Sequence, residues 1–246
     1  MTWDGLGPSE AAAIAGAPQA WVLDVVGSTM DEAHRVADGG APSGSVVIAG
    51  EQTAGRGRLG KRWAAPQRSG LWMTSIHRDV DPAALDCLTI RVGLALARSL
   101  DAFACEPVGL KWPNDLLVGG RKVCGILTEA RWRGAALLWV AVGVGVNLTA
   151  PADQPRAAGL RPGVTRRELI AVLPGMIRAA AALHGQLSRA ELAEFGARDA
   201  VRDAALAQPA RGIAQGIDAS GALVVQTAAG REICRQGSLI MAQEDA

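Results

Sequence analysis

Residues 135–146, Ala-Ala-Leu-Leu-Trp-Val-Ala-Val-Gly-Val-Gly-Val, form the longest apolar stretch of this chain. A bilayer-spanning helix needs about 20 such residues, and glycine is a poor helix former. The stretch therefore reads as a buried strand, and the chain has to build a core around a sheet. It has the material: 246 residues, 49% of them hydrophobic and 20% charged. That length fits one large domain, or one large domain and a small one.

The formal net charge is only +1, so no global field draws the protein to DNA or to an acidic membrane surface. Any anion it handles must be held by a few placed cations. Cys87, Cys105, Cys124 and Cys234 form no CxxC pair, and His34, His77 and His184 have no metal-ligand spacing. No metal site is expected. The N-terminus has neither a basic region nor an apolar run ending in a cleavage site, so a cytoplasmic protein with reduced cysteines is expected.

Residues 1–20 read as a loop-like lead-in, with Pro8, Gly16 and Pro18 as breakers. Strands are expected at 21–26, 45–49 and 71–76, and around 108–112, 115–118, 122–130 and 137–146. Gly119-Gly120 marks a hairpin turn. Ser28 suits the cap of a helix whose first turn carries Asp31 and Glu32. Leu85, Leu88, Val92, Leu96 and Leu100 keep helical spacing, and helices are also expected at 165–184 and 189–200. From about Ala205 the texture changes to short alternating segments broken by Gly, Asp and Ser. The expected division is a lead-in (1–20), a mixed α+β domain (21–204) and a small all-β unit (205–246); the alternative for the last is a β-rich extension of the main sheet.

Glu51-Gln-Thr-Ala-Gly-Arg-Gly-Arg-Leu-Gly-Lys-Arg-Trp63 alternates glycine and cation. Glycine lets the backbone approach a ligand closely, and arginine offers a planar fork of donors to carboxylate or phosphate oxygens. The segment lacks the lysine-Ser/Thr ending of a P-loop. It reads as a loop that wraps a small anion; the alternative is a solvated basic turn. Leu110-Lys-Trp-Pro-Asn-Asp-Leu116 sets a lysine inside an apolar strand. Burying an ammonium is costly unless an anion meets it, and that anion is either a ligand or a structural partner such as Asp115 or Glu129. Gly125 suits a close approach to backbone. Asn147 closes Val-Gly-Val-Gly-Val-Asn-Leu148, where it either binds a ligand or caps a turn.

In this order, Ser28-Thr29, the 51–63 loop, Lys111-Trp-Pro-Asn-Asp115, Lys122-Val-Cys-Gly-Ile-Leu127 and Gly143-Val-Gly-Val-Asn147 resemble the biotin–protein ligase family. The resemblance implies an α+β catalytic domain like that of class II aminoacyl-tRNA synthetases, followed by a C-terminal SH3-like β barrel. It implies an enzyme that joins biotin to ATP as an adenylate, with Mg2+ as activator, and transfers it to a lysine of a biotin carboxyl carrier protein. Ser28, Thr29, Met30 and Gln52 are then expected on biotin. Arg56, Gly57, Arg58 and Lys111 are expected at its carboxylate, with Lys111, Arg56 and Arg58 carrying the catalysis. Arg58, Lys61, Trp63, Lys122 and Asn147 are expected toward the nucleotide.

This sequence departs from the family pattern at Met30, where asparagine is frequent, and at Lys61, where arginine is common. Its Ala157-Ala-Gly-Leu160 is poor in polar residues, so no adenine contact is assigned. Some family members repress genes through an N-terminal helix-turn-helix; the residues before Trp21 are too few for one, so no nucleic-acid partner is expected. No membrane partner is expected either, and a homodimer is left open. The rival enzyme is a lipoate–protein ligase; the rival non-enzyme is a biotin- or nucleic-acid-binding module.

Overall fold

The computed structural model describes residues 3–242. The large unit is a seven-stranded mixed sheet with strand order β1-β2-β3-β7-β6-β5-β4. Its strands are β1 (Ala20–Val26), β2 (Val46–Gln52), β3 (Gly70–His77), β4 (Gly109–Lys111), β5 (Asp115–Val118), β6 (Arg121–Arg133) and β7 (Ala136–Asn147). Only β1 and β2 run parallel. Parallel neighbours need a crossover, which α2 (Thr29–Asp38) supplies. Ser28 caps α2 as expected, its hydroxyl accepting from the Met30 amide at 3.2 Å. The Gly119-Gly120 turn has both residues at positive φ (56° and 73°), as a tight hairpin between β5 and β6 requires.

Strand alternation divides the core into two layers. Val46 and Ile48 of β2 and Val140, Val142, Val144 and Val146 of β7 face a large cluster. That cluster is closed by α3 (Leu85–Leu100) and α4 (Arg166–Ala181), through residues such as Leu88, Val92, Leu96, Leu169, Leu173 and Ile177. The intervening residues face the other way. Val47, Ile76 and Trp139 pack there with Ala33, Val36 and Ala37 of α2. Because α2 lies over β2, β3 and β7, the part of this face nearer β6 is left to the 51–63 loop, whose Trp63 rests there.

Residues 8–15, expected as loop, are a helix, α1 (Pro8–Ala15). Two of the three breakers turn out to be its ends. Pro8 stands in the first turn, where its missing amide costs nothing, and Gly16 closes it in a left-handed conformation (φ 56°). Ala11 and Ala15 are buried, and Arg178 of α4 donates to the Gly16 carbonyl at 3.1 Å. Helix α5 (Arg189–Arg198) opens on a capping box of Ser188 and Glu191. Glu191 also pairs with Arg91 of α3 at 2.8 Å. Arg91 is buried and donates to the carbonyls of Gly185 and Gln186, so a single guanidinium ties α3 to the turn before α5.

A second sheet begins at β8 (Ala205–Gln208) and continues through β9 (Gly212–Ile217), β10 (Leu223–Thr227), β11 (Gly230–Cys234) and β12 (Ile240–Met241). It is antiparallel, in the order β11-β10-β9-β8-β12. Trp112 reaches into it, its indole nitrogen donating to the Gly221 carbonyl at 3.0 Å. No described helix is long and apolar enough to cross a membrane.

His77, at the end of β3, is buried against Ser75, with Nε2 and Oγ 2.9 Å apart. Burial, and then the Arg178 charge, push its pKa down to about 4. The native state therefore refuses a proton that the unfolded chain accepts below its ordinary value of 6.5. This contribution to stability is fully present above that value and is lost as pH falls toward the native pKa. The expected loss is about 2 kcal/mol between pH 7.5 and pH 5. Urea midpoints should show it in the wild type, and His77→Gln should flatten the slope. Equal slopes in the two proteins would assign the acid sensitivity elsewhere.

Candidate active site

The open part of the sheet face is floored by glycine. Gly125 of β6 pairs across with Gly145 of β7, Leu127 with Gly143, and Trp72 and Thr74 of β3 pair with the same two glycines from the other side. Direct cross-strand partners point to one face, so the register alone clears a patch of bare backbone. Met30 and Trp63 rest on it. A Cβ on Gly143 would stand 2.9 Å from the Met30 methyl, and one on Gly145 would stand 2.6 Å from the Trp63 ring.

At one end of the floor the polar groups are spoken for in an ordered way. The Thr29 amide and hydroxyl both donate to Gln52 Oε1, at 2.8 and 3.0 Å. Thr74 Oγ1 donates to Thr29 Oγ1 at 2.9 Å. With its oxygen occupied, Gln52 has its amide nitrogen left to offer as a donor. This end suits an uncharged polar group with a hydrogen-bond acceptor.

Cations gather at the other end. Lys111 ends β4 beside Asp115, its cross-strand partner, yet neither structural partner considered for it takes up its charge. The Asp115 carboxylate pairs with Lys122 at 2.6 Å, and Glu129 pairs with Arg56 at 2.6 Å and with His34 at 3.1 Å. Among the described residues Lys111 makes no ion pair, and neither does Arg58. Burial depresses the Arg58 pKa, with the nearby Asp115 charge opposing, but a guanidinium stays charged throughout the working range. Lys122 Nζ also lies 4.9 Å from the centre of the Trp63 ring, a cation–π distance.

A 410 Å³ cleft has Ser28, Thr29, Met30, Gln52, Arg56, Gly57, Arg58, Lys61, Trp63, Lys111 and Lys122 in its walls. Of the residues expected on biotin, its carboxylate or the nucleotide, only Asn147 stands outside it. Asn147 is buried and donates to the carbonyls of Ala158 (3.2 Å) and Lys122 (3.4 Å). It borders a second, 720 Å³ cleft with Gln52, Trp63, Lys122 and Arg156, and Trp63 is a wall common to both. Sequence reasoning missed Thr74, which only the strand register sets opposite Gly143. It also missed residues 237–240, which come from the second sheet unit to line the first cleft. No motif marks them.

Fold and site together define a class: an α+β protein with a glycine-floored cleft, neutral hydrogen-bonding groups at one end and cations at the other. Residues 22–147 match the Biotin/lipoate A/B protein ligase family, and residues 201–238 match the Biotin protein ligase C terminal domain. The chain is 36% identical over 231 residues to the Biotin--[acetyl-CoA-carboxylase] ligase of Paracoccus denitrificans, covering 84% of this chain and 93% of that one. It is 37% identical over 131 residues to the Bifunctional ligase/repressor BirA of Bacillus spizizenii, covering 53% of this chain but only 40% of that protein. Among solved structures, the biotin protein ligase from Aquifex aeolicus in complex with biotin and ATP has the same fold. Its TM-score is 0.73 at 22% identity, over 89% of this chain and 97% of that one. The chain belongs to the Biotin/lipoate A/B protein ligase family.

Proposed function

We propose that this protein is a biotin–protein ligase: it condenses biotin with ATP to biotinyl-5'-AMP and passes the biotinyl group to a lysine of a biotin carboxyl carrier protein. The observation that carries this reading is the cleft itself. Its Thr29–Gln52 end matches the neutral ureido ring of biotin, its glycine floor matches a flat bicycle, and Lys111 and Arg58 stand at the far end without carboxylate partners among the described residues. The Aquifex aeolicus protein, of the same fold, is described with biotin and ATP, and that of Leishmania major with biotinyl-5-AMP.

In this reading a carboxylate oxygen of biotin attacks the α-phosphorus of ATP and pyrophosphate leaves. Lys111 and Arg58 screen the repulsion between the two anions as they meet. The acceptor lysine then attacks the acyl carbon, the bond to AMP breaks, and the amine gives up a proton. Ser28, Thr29, Met30 and Gln52 hold the ring. Gly57 allows the loop backbone close to the carboxylate, and Arg56 sits at the rim. Lys61, Trp63, Lys122 and Asn147 face the nucleotide in and beside the second cleft. ATP brings Mg2+ bound to its phosphates, the usual mode for that ion; among the described residues no group of three or more His, Cys, Asp or Glu forms a metal site.

The large sheet unit (21–204, after the 1–20 lead-in) is taken as a class II synthetase-like catalytic domain, and residues 205–246 as an SH3-like barrel. The ligase is taken to act in the cytoplasm without a nucleic-acid or membrane partner, with a homodimer as an open assembly state. The test is pyrophosphate release with MgATP and either biotin or lipoate, followed by mass spectrometry of a carboxyl-carrier domain. Release with biotin and a biotin-sized addition are expected. Activity with lipoate alone would replace this reading by lipoate ligation.

A further inference from the structure

The Arg56 guanidinium is engaged on two sides. One terminal nitrogen donates to the Asp31 carboxylate and the other to Glu129 Oε1 at 2.6 Å. Asp31 stands in the first turn of α2 and Glu129 on β6. The second Glu129 oxygen lies 3.1 Å from His34 Nε2, and Trp139 Nε1 donates to His34 Nδ1 at 3.0 Å. An indole nitrogen can only donate, so His34 Nδ1 carries a lone pair and the ring proton sits on Nε2, facing Glu129. Along Trp139, His34, Glu129, Arg56 and Asp31 each donor meets an acceptor. The His34 bond, more than Arg56, holds the Glu129 carboxyl below its ordinary range against the opposing effect of burial.

One positive charge set between two carboxylates leaves this group net negative. A ligand carboxylate brought to the Arg56 guanidinium meets Asp31 and Glu129 as well. Arg58 and Lys111, by contrast, have no ion-pair partner among the described residues. The loop also hangs from Arg56. Arg56 and Arg62 form a bridge between its two arms, the Gly57 amide donates to the Lys61 carbonyl at 2.8 Å, and the Trp63 amide donates to the Gly55 carbonyl at 2.9 Å. Pinning Arg56 therefore pins both arms, and with them the Trp63 wall.

We propose that the two arginines of the loop divide the work: Arg56 is a positioning residue that anchors the loop to α2 and β6 through Asp31 and Glu129, while Arg58 and Lys111 meet the anion. The identity of that anion rests on the ligase reading; the anchor does not.

Hydrogen exchange of residues 53–63 without ligand tests the anchor directly. In the Asp31→Asn/Glu129→Gln double variant and in Arg56→Ala, the Gly57 and Trp63 amides should exchange about tenfold faster than in the wild type. Adding Arg56→Ala to the double variant should change little more. Equal exchange in wild type and double variant overturns the anchor.

The division of work is read from biotin dissociation and from pyrophosphate release with MgATP. The double variant should release biotin about tenfold faster with kcat within about twofold, whereas Arg58→Ala should lower kcat. If Arg56→Ala lowers kcat by about 100-fold while the double variant keeps it, the guanidinium acts on the ligand and the proposal falls. A wild type that neither binds biotin nor releases pyrophosphate removes the ligase reading instead, and the exchange comparison still decides the anchor.

Discussion

Lys111→Ala should slow biotin-dependent pyrophosphate release by about 100- to 1000-fold, the range found when one electrostatic donor to a transition state is removed. Two features make the effect large and separable. Lys111 makes no ion pair among the described residues, with Asp115 and Glu129 committed to other cations, so its loss strands no structural carboxylate. It is also only half-buried at the end of β4, so truncation leaves no core cavity and melting should shift by a few degrees at most. Biotin affinity should fall by less than about tenfold, because the ring is held at the other end of the floor and the screened repulsion grows mainly as the phosphate arrives. A rate within about tenfold of wild type would remove Lys111 from the chemistry.

The second large effect is expected from the floor. Gly145→Val should weaken both biotin and ATP binding by about 100-fold, which is about 3 kcal/mol. Gly145 lies in extended strand, paired with Gly125 and Trp72, where valine is a favourable residue, so the sheet itself should persist. The added Cβ starts 2.6 Å from the Trp63 ring. The indole has to leave, and it lines both clefts. Isothermal titration with each ligand and a melting curve check this. Unchanged affinities would mean that Trp63 already stands aside when ligand binds.

These expectations differ in how far they could be read before the fold was known. The glycine–arginine loop, the lysine flanked by Leu110 and Trp112, and the Gly143/Gly145 pair are all visible in the chain, because each breaks a local rule. Glycine weakens a strand, and a lysine in an apolar strand needs a reason. The cap at Ser28 and the Gly119-Gly120 hairpin were legible for the same local cause. Helix α1 was misread because proline and glycine each have two meanings, as breakers or as helix ends, and only packing against α4 chooses between them.

What the sequence determined by itself is the set of chemical parts and their order: which strands carry bare backbone, which loop carries cations, and where the texture turns all-β. What the tertiary structure decided is which of the cations are free. Lys111, Arg56, Arg58, Lys61 and Lys122 are equivalent as charges along the chain. Strand register places Asp115 against Lys122, and α2 and β6 bring Asp31 and Glu129 to Arg56, leaving Lys111, Arg58 and Lys61 in the cleft wall with no ion pair among the described residues. Residues 237–240 join that cleft from 81 or more positions beyond the rest of its lining. Charge pairing acts through distances of a few ångströms in space, and sequence separation carries no information about them.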